Sequence, residues 1–165
     1  MATYEILIAD DHPLFRSALH QALTLGLGPD VRLVEVASIA EAGGRLIVAP
    51  NARRDVVVEA KRLGLIAMPG FATPTEAFAM LDAGADALKL FPAEGSSPAV
   101  LGALRAVLPQ GTLVLPVGGI GASNFQSWRK SGAAGFGIGS ALYKAGMCPE
   151  EVRERARQFR LAFSS

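Results

Sequence analysis

Lys89 stands in the middle of an apolar, strand-like run, Asp86-Ala-Leu-Lys-Leu-Phe-Pro-Ala93. An ammonium in such a strand is costly to strip of water. It must pair with a carboxylate, run its stem along the surface to reach solvent, or be held as the free amine that attacks carbonyl carbons and forms a Schiff base. The strand by itself leaves these readings open. Two later turns offer a second kind of chemistry. Val117-Gly-Gly-Ile120 and Gly137-Ile-Gly-Ser140 each follow an apolar stretch and leave bare backbone amides where a phosphate could sit. The same glycines would also serve tight turns between strand and helix. Lys89 is therefore the candidate catalytic residue, and Gly118, Gly119, Gly139 and Ser140 are the candidate phosphate-binding residues.

Other polar groups carry less. Asp10-Asp11 closes an apolar run, but two carboxylates without further oxygen ligands make a poor magnesium site, and a solvated turn or helix cap explains them. His12 and His20 lack metal-ligand spacing, so no metal is expected; a turn contact and a place on the helix surface account for them. Cys148 precedes Pro149 with no histidine near it in sequence and reads as a free thiol. Arg153, Arg155, Arg157 and Arg160 share a C-terminal amphipathic helix and read as a solvated face.

The elements that must position these groups alternate. Apolar strands are expected at 4–9, 31–37, 45–50, 65–69, 87–91, 113–117 and 135–138. Helices are expected at 14–25 (on Leu14, Ala18, Ala22 and Leu25), 39–42, 53–63, 75–83, 98–107, 123–130 and 150–163. Thr73 or Thr75 should cap the helix bearing Glu76, and Ser123 a later one. Strict alternation implies a parallel sheet covered by helices, with the active groups at the carboxyl ends of the strands.

Composition sets the bounds. The chain has 165 residues, half of them hydrophobic, enough for one sizeable core and a single α/β domain. A net charge of +1 with interspersed signs offers no face for nucleic acid. One cysteine, no signal-like segment and no long apolar run predict a cytoplasmic protein without a membrane partner.

Five stretches occur together and in order: Gly44-Arg-Leu-Ile-Val-Ala-Pro-Asn51, Met68-Pro-Gly-Phe-Ala-Thr-Pro-Thr-Glu76, the lysine strand, Pro116-Val-Gly-Gly-Ile120 and Gly135-Phe-Gly-Ile-Gly-Ser-Ala-Leu-Tyr143. Through them, residues 43–163 resemble the class I 2-keto-3-deoxy-6-phosphogluconate and 6-phosphogalactonate aldolases, which are (β/α)8-barrel lyases. The resemblance implies that Lys89 forms the Schiff base, that the glycine turns hold the substrate phosphate, and that Pro69, Thr73 and Phe91 touch substrate. No cofactor is implied. One departure concerns the phosphate grip, since Gly121-Ala122 stands where a Thr-Pro pair is usual. Family members also draw a proton-transferring glutamate and a carboxylate-binding arginine from an early segment that is not seen here.

Residues 4–37 instead resemble the opening β-α-β unit of a response-regulator receiver, without its phosphoacceptor aspartate. Two resemblances meeting near 37–43 lead to the expectation of an engineered chimera: a flavodoxin-like fragment over 1–42 joined to an aldolase-like (β/α)5 fragment over 43–165, with no dedicated biological function. The alternative is a class I aldolase cleaving a 2-keto-3-deoxy-6-phospho sugar acid to pyruvate and glyceraldehyde 3-phosphate. The expected fold is a parallel, TIM-barrel-derived (β/α) barrel of about seven strands with imperfect closure; an open flavodoxin-like, doubly wound sheet is the alternative. Imperfectly paired edges then predict a homodimer.

Overall fold

A computed structural model describes residues 4–9, 13–26, 31–37 and 43–164. The expectations placed on Asp10, Asp11 and His12, and on the helix at 39–42, lie outside the described residues. The chain divides into two compact units, Met1–Arg45 and Leu46–Ser165.

In the first unit, β1 (Tyr4–Ala9) runs parallel to β2 (Val31–Val36), in register from Tyr4 opposite Val31 to Ala9 opposite Val36. Helix α1 (Pro13–Gly26) connects them. The expected apolar stripe is not the buried one, because Leu14 is 77% and Leu25 89% exposed. The half-buried positions are Leu19, His20 and Leu23. His20 keeps part of the surface expected for it and also reaches across to β2: its Nδ1 lies 2.7 Å from the Glu35 carboxylate.

The second unit is a run of β/α turns. It comprises β3 (Leu46–Val48), α2 (Arg54–Arg62), β4 (Ile66–Met68), β5 (Gly70–Phe71), α3 (Pro74–Asp82), β6 (Leu88–Leu90), a single 3-10 turn (Ala93–Gly95), α4 (Pro98–Val107), β7 (Val114–Pro116), α5 (Phe125–Lys130) and α6 (Pro149–Ser164). All strand pairs are parallel, β3 with β4, β5 with β6 and β6 with β7. β4 and β5 are one path interrupted at Pro69, which has no amide to donate. Bonds from Asp86 N to Ala67 O (3.0 Å) and from Lys89 N to Pro69 O (2.9 Å) carry that path alongside β6. Strand neighbours therefore follow chain order. The expected strand at 135–138 is reduced to one parallel bridge, Gly137 with Val117. Its glycines have no side chains to pack, and they lie so close to β7 that a Cβ on Gly137 would fall 2.5 Å from the Val117 side chain.

Alternation along β6 and β7 separates two faces. Leu88, Leu90, Val114 and Pro116 are buried, together with Phe71, Val57 and Leu101 from neighbouring elements. Lys89 and Leu115 occupy the opposite face, half-buried and directly opposed in register. The helices are closed by identifiable caps. Thr73 and Glu76 form a reciprocal capping box at α3, and the Ser97 hydroxyl accepts from Val100 N at α4, with Pro98 in the first turn. At α5 the N-cap position is Asn124 rather than the expected Ser123, and its side chain makes no capping bond. α5 holds α6 through Phe125 against Phe159 (centroids 5.5 Å apart) and through two bonds to the last carbonyls of α6, Gln126 Nε2 to Ala162 O (3.4 Å) and Arg129 Nη1 to Phe163 O (2.8 Å). Among the described residues no helix is long and apolar enough to cross a membrane.

Candidate active site

Lys89 is carried by the central strand of the β5-β6-β7 sheet, between Gly70 and Leu115. Gly70 has no room for a side chain, since a Cβ there would fall 2.2 Å from the Pro50 carbonyl oxygen. The ammonium nitrogen lies 4.4 Å from the centre of the Phe91 ring. Among the described residues of this unit no carboxylate pairs with it. Asp86, three residues earlier, is already committed to Lys61 (2.7 Å) and to the Ala67 amide (2.8 Å). Burial alone would raise the Asp86 carboxyl, but these bonds outweigh it and hold the group below the ordinary aspartate value. The outcome is a clamp between α2, β4 and the start of β6, upstream of the lysine.

The two glycine turns meet in a single cleft of about 460 Å³. Gly118, Gly119, Gly139 and Ser140 all line it, as do Phe91, Lys144 and Arg155. Phe91 is thus shared between the lysine and the cleft. The amides of Gly118, Gly119, Gly139 and Ser140 donate to no protein acceptor among the described residues; Gly119, Gly139 and Ser140 are exposed, which leaves their amides open to solvent or a ligand. The loop that presents the first pair is pinned by Asn124, whose Oδ1 accepts from Gly121 N (3.1 Å) and whose Nδ2 donates to Gly119 O (2.9 Å).

Other expected contacts fall elsewhere. The Thr73 hydroxyl is committed to the cap, donating to Glu76 Oε2 (2.9 Å) and accepting from Glu76 N (3.3 Å). Glu76 also accepts the Ala72 amide (2.9 Å) and the Thr73 amide (2.8 Å); the Ala72 bond foremost, these hold its carboxyl below the ordinary glutamate value. Pro69 is buried and faces a separate small hollow beside α2. Arg155 departs from the solvated face expected of the α6 arginines. It is half-buried, and its Nη1 donates to Ala141 O (3.1 Å) at the second glycine turn. Among the described residues no three His, Cys, Asp or Glu side chains gather as a metal site would require.

The profile of the KDPG and KHG aldolases matches residues 17–158. The chain belongs to this aldolase family. A probable 2-dehydro-3-deoxy-6-phosphogalactonate aldolase of Rhizobium meliloti is 43% identical over 80% of this chain, which spans 62% of that relative's length. The 2-dehydro-3-deoxy-6-phosphogalactonate aldolase of Escherichia coli is 39% identical over 92% of this chain and 74% of its own length. A solved structure described as native KDPGal superposes with a TM-score of 0.75 at 35% identity, covering 99% of this chain and 83% of its own.

Membership of the aldolase family corrects the expectation of a chimera without function. The matched range, 17–158, takes in residues 37–43 together with most of α1 and all of β2. The receiver-like signal at the start is that of a β-α-β unit: an apolar strand, an amphipathic helix and a second strand parallel to the first. Every parallel α/β fold shares that pattern, so it cannot distinguish among them. Sequence reasoning did not single out Lys144 and Arg155, which line the candidate cleft, or Asn124, which pins its first glycine loop. For Lys144 the available signal was its position four residues after Ser140, just beyond the final family motif.

Proposed function

We propose that this chain is a class I aldolase-type lyase that cleaves a 2-keto-3-deoxy-6-phospho sugar acid to pyruvate and glyceraldehyde 3-phosphate. The observation that carries the reading is the meeting of Lys89, through Phe91, with a cleft whose glycine amides are unpaired. The relatives named for 2-dehydro-3-deoxy-6-phosphogalactonate support the substrate class. In this scheme the Lys89 amine adds to the C2 carbonyl and loses water to give an iminium. A base takes the proton of the C4 hydroxyl, the C3–C4 bond breaks, and its electron pair passes to the iminium as an enamine. Protonation at C3 and hydrolysis return the lysine and release pyruvate. Gly118, Gly119, Gly139 and Ser140 hold the 6-phosphate, fixing the distance between phosphate and reacting carbon.

Incubation with pyruvate followed by borohydride should leave one reduced pyruvate unit on Lys89, read by mass spectrometry, and Lys89→Met should abolish it. A folded parent that gains no adduct removes the Schiff-base role. The sheet is further proposed to be part of a barrel with imperfect closure, and the chain to pair as a homodimer. The support is the apolar surface of the second unit, where Leu46, Val48, Ile66 and Leu113 are 46–50% exposed. Light scattering on the eluting protein should report a dimer at micromolar concentration; a monomer that persists across dilution contradicts the pairing.

A further inference from the structure

A cradle of backbone amides carries only partial positive charge, and it accepts a carboxylate or a phosphate with little preference between them. The loop after β7 does nothing to change this, because Gly121 and Ala122 bring no donor side chain. Full charge enters the cleft only through Lys144 and Arg155 among the described residues, and no carboxylate lines it. The placement of Arg155 is not what its helix would impose. Glu151 stands one turn earlier on α6, at the spacing that commonly forms an ion pair, yet its Oε2 accepts the Cys148 amide (3.0 Å) at the start of the helix. Arg155 turns instead to Ala141 O (3.1 Å), directly after the Gly139–Ser140 turn. One guanidinium donor is spent there, and the others of the five are free to serve a ligand. Arg153 and Arg157, its neighbours on the helix, stay exposed.

We propose that Arg155, with Lys144 beside it, is the specificity-determining charge of this cleft, selecting a phosphate dianion over a singly charged carboxylate. The proposal rests on the reading of the glycine turns as a phosphate cradle and adds the groups that give the cradle its preference. A planar, multidentate guanidinium suits phosphate oxygens, and the Ala141 bond fixes it before ligand arrives, which lowers the ordering cost of binding.

The test is a titration of the full chain with inorganic phosphate and, separately, with acetate, at constant ionic strength, followed by calorimetry. The parent should bind phosphate at least about tenfold more tightly than acetate. Arg155→Gln should weaken phosphate by about tenfold or more while changing acetate little, the size expected when a charged hydrogen-bonding partner is removed. Arg155→Lys should recover part of the loss. Lys144→Gln, at an exposed side chain, should shift phosphate in the same direction by less, and it decides the matter if Arg155→Gln does not fold. Phosphate bound equally by the parent and by both glutamine variants overturns the proposal while leaving the cradle in place. Equal affinity of the parent for the two anions also overturns it. A parent that binds neither anion removes the cradle and the proposal together.

Discussion

Two glycine turns line one cleft, and Gly139 of the second differs from the paired glycines of the first. At the first, Gly118 and Gly119 have φ of 98° and 64°, a backbone that side chains rarely adopt, and both lie against the residue following Ala93. A Cβ on Gly119 would fall 2.9 Å from the Glu94 carboxylate and 3.0 Å from the Glu94 Cβ. At the second, Gly139 has no positive φ, and a Cβ there would meet nothing within 4 Å. The first turn needs glycine in order to fold. No such need exists at Gly139, where a side chain would meet open space, so neither fold nor packing accounts for glycine there, and the proposed phosphate cradle is what a substitution at this position tests. Glycine count alone would have treated the two alike.

Substitutions can break this contrast or sharpen it. Gly70 is the extreme of the first kind, because the obstacle to a side chain is the Pro50 backbone rather than a movable group. Gly70→Ala should therefore cost about 3 kcal/mol or more in urea unfolding; a loss under about 1 kcal/mol would mean that the crossing of the two chains relaxes freely. Gly119→Ala should cost about 1–2 kcal/mol, from its left-handed backbone and its contact with Glu94. The smallest effect on stability is expected at Gly139. Gly139→Val should change unfolding by no more than about 0.5 kcal/mol, yet remove the rise in melting temperature that phosphate gives the parent by linkage. Equal stabilisation of parent and variant would mark a general salt effect and leave Gly139 without a role.

Local chemistry made much of the second unit legible. Ser97-Pro98 opens α4 where a cap followed by proline should, Thr73 and Glu76 stand at capping-box spacing, and Lys89 disturbs an apolar strand at one position only. What escaped notice depends on groups distant in sequence. Arg155 sits among exposed arginines, and its bond to Ala141 O joins groups fourteen residues apart, which no local pattern on the helix announces. Ser123 and Asn124 are both acceptable cap residues; Asn124 takes the position, but its side chain bonds two groups of the preceding loop and leaves the helix end without a side-chain cap. At 135–138 the apolar pattern predicts a strand, whereas its glycines leave a backbone that meets Val117, just past β7, at one bridge. The largest misreading was of kinship rather than structure, since a β-α-β pattern is common property and the apparent change of family at residues 37–43 followed from it.

Helix α6 combines two jobs at opposite ends. Its sixteen residues reach about 24 Å, with Arg155 in the half beside the cleft and the carbonyls of Ala162 and Phe163 tied to α5. It is in effect a lever moored at its far end. The angle at which the Arg155 guanidinium enters the cleft is set partly by Gln126 and Arg129, neither of which lines it. A disturbance applied at that mooring, whether a loosened bond or a weight fastened to the last turn, would be felt as a change of aim at the other end.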